Sequence, residues 1–398
     1  MSRQIPIKQL LFNMGQYGAS DLHLKVGMPP IFRIKGLLRS LDLPPLTPEE
    51  TDAMVAEIIP PGLRERFDKT GDLDFSTHLD TQSIADKAFK SLQDESQQQA
   101  VAPHPEELGV DRFRCNIFRA EGAVHAAIRR INSKIPSFES LGLPPIYQKI
   151  ADEAPDGLVL VVGITGCGKS TTLACMLQRL NETRAKNIIT IEDPIEFHFE
   201  PAQSVISQRE LGIDCQSYAD ALRYVVRQDP DVIFIGELRD HDTVLAALQA
   251  AETGHLVFAS MHTADAAQSM SRLLEFFPQD EHDFIRSTLS ASLRAVCAQR
   301  LLPATEEHGV GIVPATEVLL ANSTVRELIR EGRDGSIYSA IGAGKGEGMR
   351  SFTDSLVELV EAEHVTMQTA LEFAPNRDAL RSRLKGVEVK DTQLVGKG

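Results

Sequence analysis

The stretch LVLVVGITGCGKSTT, residues 158–172, constrains this chain more than any other. A run of β-formers stops at a glycine-rich loop, and a lysine and three hydroxyl residues follow. Gly163 to Ser170 therefore satisfies G-x-x-x-x-G-K-[ST] in the strand-to-helix context that gives the pattern its meaning. Glycines let the backbone curl around phosphate oxygens, and the N-terminus of the helix beginning near Lys169 adds aligned N–H donors. Gly163, Thr165, Gly166, Cys167, Gly168, Lys169, Ser170 and Thr171 are the expected nucleotide contacts. Lys169 would reach the β- and γ-phosphates of ATP, and Ser170 would ligate Mg²⁺.

The apolar runs LVLVVG, NIITIEDP, DVIFIGE and HLVFASMH, separated by helical pattern, read as a parallel sheet buried on both faces, an α/β domain from about 157 to 320. Residues 321–385 read as mainly helical and 386–398 as a frayed tail, so the ATPase domain with its C-terminal helices is expected over 158–385. Upstream, 1–150 reads as a smaller α+β domain. LHLKVGMPPIFRIKG is two strands around a Gly-Met-Pro-Pro turn, and TPEETDAMVAEII is a capped amphipathic helix. The Gln-, Ser- and Ala-rich residues 81–108 interrupt the strand-like DLDFSTHL and VDRFRCNIFR, as an inserted helix or mobile loop would. The polar, proline-containing 151–157 suits a linker.

Carboxylates decide whether a phosphate site can do chemistry. The strand in ITIEDPIEFHFE ends in Glu192 and Asp193, with Glu196 on the following loop, and the strand in DVIFIGELRD ends in Gly236 and Glu237. In a parallel sheet these acids emerge at the same edge as the phosphate loop, where they can meet around one Mg²⁺. Gly236 stands where an aspartate usually closes such a strand. Glu237 could then hold the metal through water, while Glu196 polarises the attacking water. His262 follows the strand HLVFASM and falls on that edge, and His255 precedes it at the opposite end. Any one of these acids alone is an ordinary loop carboxylate; their joint placement points to catalysis.

A formal net charge of −15 and the lack of any long basic cluster argue against a nucleic-acid surface. Five scattered cysteines form no CxxC pair, which disfavours zinc or a disulfide framework and fits a reducing cytoplasm. No signal-peptide pattern is read at the start, and no apolar run approaches the roughly 18 residues that crossing a bilayer takes. A membrane role is expected through a partner.

GASDLHLKVGMPPIFRIKG, DRFRCNIF, GITGCGKSTT, TIEDPIEF, RQDPDVIFIGELRD, AETGHLVFASMHTADA, VRELIREG and GMRSFTDSL run through nearly the whole chain. In this order they resemble the secretion ATPases of type IV pilus and type II secretion machines, and within them the pilus-retraction (PilT-like) branch. The resemblance implies a PAS-like N-terminal domain followed by a RecA-like P-loop ATPase domain. It also implies a homo-hexamer powering pilus retraction and twitching motility, peripheral at the cytoplasmic face of the inner membrane and acting on an integral platform protein. By the same resemblance Glu196 is the catalytic carboxylate and Glu237 serves the metal, His255 and His262 are the paired histidines, and Arg112, Arg114 and Arg129 reach the nucleotide. The chain departs from the family at Ile164 (usually proline), Cys167 (usually serine) and Arg350 (commonly glutamine). It also lacks the tetracysteine zinc site of extension-type relatives, which favours retraction. TVRELIREG resembles the helix needed for pulling: Val325, Leu328 and Ile329 would pack while Arg326 and Arg330 face a partner. An assembly ATPase, a DNA-moving conjugation ATPase and a weakly hydrolysing accessory paralogue are the rival readings.

Overall fold

The computed structural model describes residues 6–34, 36–80, 110–131, 135–309 and 311–385. The chain forms two units, Met1–Lys134 with Pro194–His198, and Ile135–Asp193 with Phe199–Gly398.

In the first unit, strands β1 (Ala19–Leu24), β2 (Ile31–Ile34), β3 (Leu37–Ser40), β4 (Asp72–Asp80), β5 (Val110–Ala120) and β6 (Ala123–Ile131) form an antiparallel sheet in the order β3-β2-β1-β6-β5-β4. One sheet face, including Leu22, Phe32, Phe75, Phe113, Cys115, Ile117 and Ile128, is buried with residues of the helices α1 (Ile7–Gln16), α2 (Pro48–Ala56) and α3 (Arg64–Thr70). Helix α1 contributes Ile7, Leu10, Leu11 and Met14, the i, i+3, i+4, i+7 spacing of a helical stripe. Helix α2 starts where its sequence signal says. The Thr47 hydroxyl accepts from the Glu50 N–H at 3.2 Å, and the Glu50 carboxylate accepts from the Thr47 N–H at 2.9 Å. The expected hairpin closes His23 against Ile31, and the two strand-like pieces flanking the insertion are neighbours β4 and β5. The insertion itself lies outside the described residues, as does the tail.

The second unit begins earlier than the sequence suggests. Residues 151–153 are not linker but the last turn of α4 (Ile146–Glu153), and Gly157 already opens β7 (Gly157–Val162). The Asp152 carboxylate holds Arg179 of α5 (Lys169–Thr183) through Nε at 2.9 Å and Nη2 at 3.1 Å, which ties this segment to the ATPase unit. The strands β8 (Asn187–Glu192), β9 (Val205–Glu210), β10 (Val232–Ile235), β11 (Leu256–Met261), β12 (Leu293–Pro303) and β13 (Ile312–Leu320) complete a seven-stranded sheet ordered β13-β12-β7-β11-β10-β8-β9. All neighbours are parallel except β12 and β13. Every residue of β7, β10 and β11 is buried, as a sheet covered by helices on both faces requires. The covering helices are α6 (Tyr218–Val225), α7 (His241–Glu252), α8 (Ala266–Glu275) and α9 (His282–Ser292), and α10 (Ser323–Arg330) to α14 (Arg377–Leu384) form the expected helical C-terminal region. Three strands, β9, β12 and β13, were not among the four expected. Their sequences carry polar residues inside the run, and the partners of those residues are distant in sequence.

One such residue is Glu317 on β13. It is 3% exposed and accepts from the Ala266 N–H at the start of α8 at 3.0 Å. Burial pushes its carboxyl up to about 7, despite that N–H and with help from the nearby Asp265 charge. The folded carboxyl therefore binds a proton that the unfolded chain releases near pH 4.5, and stability falls as pH rises from there through about 7. Glu317→Gln keeps the acceptor and removes the charge. It is expected to flatten the decline in unfolding free energy across that window and to be more stable at pH 8 by about 1–3 kcal/mol. Parallel pH profiles for the two proteins would contradict this.

Candidate nucleotide site

The strands β7, β11, β10 and β8 are adjacent and parallel, so their carboxyl ends deliver Gly163, His262, Glu237 and the Glu192–Asp193 pair to one sheet edge in that spatial order. Lys169 is the first residue of α5 and is 8% exposed. Its ammonium donates to the carbonyls of Gly163 at 2.9 Å and Ile164 at 3.2 Å, and lies 3.4 Å from His262 Nδ1. The other ring nitrogen, His262 Nε2, is 3.5 Å from Glu237 Oε1. An ammonium from the start of α5, an imidazole from the end of β11 and a carboxylate from the end of β10 thus stand side by side, with His262 between the phosphate loop and the acid. His255 sits at the opposite end of β11, where its Nδ1 lies 3.0 Å from the Ala250 carbonyl, and its own carbonyl accepts from the Gly157 N–H.

Two glycines are fixed by close approach. A Cβ on Gly163 would strike the Cys167 sulfur and lie 2.5 Å from the Gln299 carbonyl. A Cβ on Gly236 would lie 2.8 Å from the Tyr218 hydroxyl and 3.3 Å from the Ile191 carbonyl. Tyr218 is buried, so the aspartate usual at this strand end has no room, and the acid moves one residue on to Glu237. Cys167 is 2% exposed, and burial raises its thiol despite the charge of Lys169, so its side chain stays neutral packing.

The acids divide by surroundings. Glu192 is buried at the end of β8, where its Oε1 accepts from Thr190 Oγ1 at 2.6 Å and from Gln208 Nε2 of β9 at 3.1 Å, a strand-to-strand tie. Asp193 accepts from Arg239 Nη2 at 2.9 Å, which raises the Arg239 pKa, and that guanidinium also lies 5.4 Å from the Tyr218 ring centroid. Tyr218 and Arg239 frame the site and were missed in the sequence: Tyr218 lies outside every motif, and Arg239, within GELRD, shows its partner Asp193 only once β8 and β10 are side by side. Glu196 is half-buried in the segment Pro194–His198, which groups with the first unit; there Arg112 Nη1 donates to the Ile195 carbonyl at 3.5 Å.

A family model described as Type II/IV secretion system protein matches residues 110–369. The chain belongs to the type II/IV secretion ATPase family. It is 39% identical to the type IV pilus retractation ATPase PilT of Pseudomonas aeruginosa over 92% of this chain and 98% of that protein. It is 34% identical to the type IV pilus ATPase PilU of the same organism over 95% of this chain and 91% of that one. The crystal structure of the pilus retraction motor PilT with bound ADP matches it with a TM-score of 0.80 at 38% identity, covering 95% of this chain and 99% of that one. No helix among the described residues is long and apolar enough to cross a membrane.

The three arginines singled out by resemblance to the family share one face of the first unit's sheet. Arg114 lies directly across from Arg129, and Arg112 is two residues along β5. Arg129 Nε donates to Asp21 Oδ1 of β1 at 2.9 Å. Burial would raise the Asp21 carboxyl, but hydrogen bonds from Ser20 and Arg129 hold it below the usual carboxylate range. In helix α10, Val325, Leu328 and Ile329 are buried as expected, but Arg326 is a correction. Its guanidinium donates to the carbonyls of Ala321 (2.8 Å), Ser290 (2.8 Å), Ala291 (2.6 Å) and Leu293 (3.2 Å), which closes the carboxyl end of α9. Arg330 alone of the two is exposed. Arg350, where the family commonly has glutamine, donates to Glu358 at 2.6 Å.

Arg326→Ala is expected to cost about 2 kcal/mol and to lower the unfolding midpoint by roughly 4–8 °C. Arg330→Ala should leave the midpoint unchanged, and equal effects in a thermal melt would contradict the assignment. Gly236→Ala is expected to displace Tyr218 at a cost of about 1–3 kcal/mol, read by denaturant unfolding; an unshifted midpoint would show that the pocket has slack.

Proposed function

We propose that the chain is an ATP-hydrolysing motor that retracts type IV pili, a homo-hexamer working at the cytoplasmic face of the inner membrane on the platform protein at the base of the fibre. The observation that carries this reading is the series Lys169–His262–Glu237 beside the phosphate loop, in a chain that matches a retraction ATPase over 92% of its length.

Lys169 and the loop N–H groups hold the phosphates, and His262 lies where it can register the γ-phosphate. Ser170 and Glu237 offer one hydroxyl and one carboxylate. That donor set suits Mg²⁺, a hard cation that takes few protein oxygens and fills its remaining positions with phosphate oxygens and water. Bound there, the metal neutralises charge on the phosphates. Glu196 polarises the attacking water. Arg112, Arg114 and Arg129, supplied by a neighbouring subunit, stabilise charge as the bond breaks, which makes hydrolysis depend on how that subunit's N-terminal unit closes. The net charge of −15 disfavours a DNA substrate. Similarity to PilU over 95% of the chain supports a second reading, an accessory ATPase beside a main motor.

Purified protein is expected to hydrolyse ATP with no stimulation by duplex DNA, and Lys169→Ala or Glu196→Gln to lower turnover about 10²-fold or more. Parental turnover in Glu196→Gln would remove that residue from the catalytic role. Cells lacking the gene should fail to retract fibres. Retraction that persists and weakens only under load would favour the accessory reading.

A further inference from the structure

Gln299 lies on β12, the strand beside β7, and is 2% exposed. Its side-chain amide is shared between two elements of the phosphate site. Nε2 donates to the Cys167 carbonyl at 2.6 Å, inside the loop, and Oε1 accepts from Thr172 Oγ1 at 3.0 Å, on the first turn of α5. The backbone carbonyl of the same residue is the atom that leaves Gly163 no room for a side chain. A Cβ on Gly168 would stand 3.2 Å from Nε2 and crowd the amide. One residue of a neighbouring strand therefore meets the loop at its first glycine, its middle and its last glycine, and the helix that follows.

We infer that Gln299 is a positioning residue for nucleotide binding: it fixes the Cys167–Gly168 peptide in the orientation the phosphates require. In a planar trans peptide the C=O and the next N–H point in opposite directions. An amide that grips the Cys167 carbonyl from the β12 side turns the Gly168 N–H away from β12, and holds it there before any nucleotide arrives. Preorganised N–H donors bind an anion without the entropic cost of ordering a glycine-rich loop on arrival. The bond from Thr172 keeps the amide in the rotation that presents its NH₂ to Cys167, since a carboxamide turned over would set its oxygen against that carbonyl. This also sorts the hydroxyls of Lys-Ser-Thr-Thr: Thr172 faces β12 and serves the latch, which leaves Ser170 and Thr171 for the nucleotide. The assignment rests on the reading of this loop as the nucleotide site.

The test uses the full chain with ADP and ATP as probes, comparing the parent with Gln299→Leu, Gln299→Glu and Thr172→Val. Gln299→Leu is expected to raise the Kd for ADP and the KM for ATP about 10-fold, with kcat at saturating ATP within about 2-fold of the parent. Gln299→Glu, close in size, keeps the acceptor for Thr172 and places an oxygen against the Cys167 carbonyl, so it should weaken ADP at least as much. Thr172→Val leaves the Gln299–Cys167 bond in place and should cost about 3-fold or less. If Gln299 is only packing, both of its variants lower the unfolding midpoint while Kd and KM stay within about 2-fold, and that result overturns the assignment, as does a fall in kcat at constant KM. A parent chain that binds no ADP would overturn the nucleotide reading along with it, and is told apart because the variants then have no affinity to lose.

Discussion

At the end of β7 there is no room for a side chain, and the rest of the site follows from that. The sulfur of Cys167 and the carbonyl of Gln299 close on Gly163 from two sides, so the strand can only turn sharply into a loop packed against β12. The helix that follows then starts at Lys169, with its N-terminus directed at the loop and its lysine folded back over it. The phosphate loop is in this sense a packing solution: the tight approach of two strands dictates the glycine, and the glycine dictates where the helix N-terminus lies.

The parallel sheet does the second part of the work. Strands buried on both faces can carry no functional group along their length, so chemistry collects where they end. The spatial order β7-β11-β10 places a lysine, a histidine and a glutamate side by side, although nearly seventy residues of chain separate Lys169 from Glu237. The bulk of Tyr218 excludes an aspartate at the end of β10, and Glu237 takes over from the next position with a longer reach. Glu192 shows the complementary outcome. It occupies an acid position at a strand end, and there it accepts hydrogen bonds from Thr190 and from Gln208 of β9.

Much of this was legible in the sequence where local signals suffice. Thr47 and Glu50 announce the start of α2, and the all-apolar runs announce β7, β8, β10 and β11. The loop motif announces itself. Gln299 and Glu317 escaped for one physical reason: they are buried polar groups satisfied by partners far away in sequence. Gln299 makes β12 look broken, Glu317 does the same to β13, and neither reveals its partner until the strands are assembled. Arg326 and Arg330 are indistinguishable as letters on one amphipathic helix, but of the two only Arg326 donates to the carbonyls at the carboxyl end of α9. The sequence places the boundary at 151–157, whereas the second unit already includes Ile135 onward, since the Asp152–Arg179 pair that binds α4 to α5 joins residues that no composition rule connects.

Lys169 at the start of α5, with His262 and Glu237 at the strand ends beside it, should surround the phosphates of a bound nucleotide. An experimental structure of the purified chain with a non-hydrolysable ATP analogue and Mg²⁺ tests it most directly. The β- and γ-phosphates are expected within hydrogen-bonding reach of Lys169 and the loop N–H groups, with the metal between Ser170 and the Glu237 side. A nucleotide seated elsewhere, or one whose γ-phosphate lies beyond the reach of both His262 and Glu237, would contradict it.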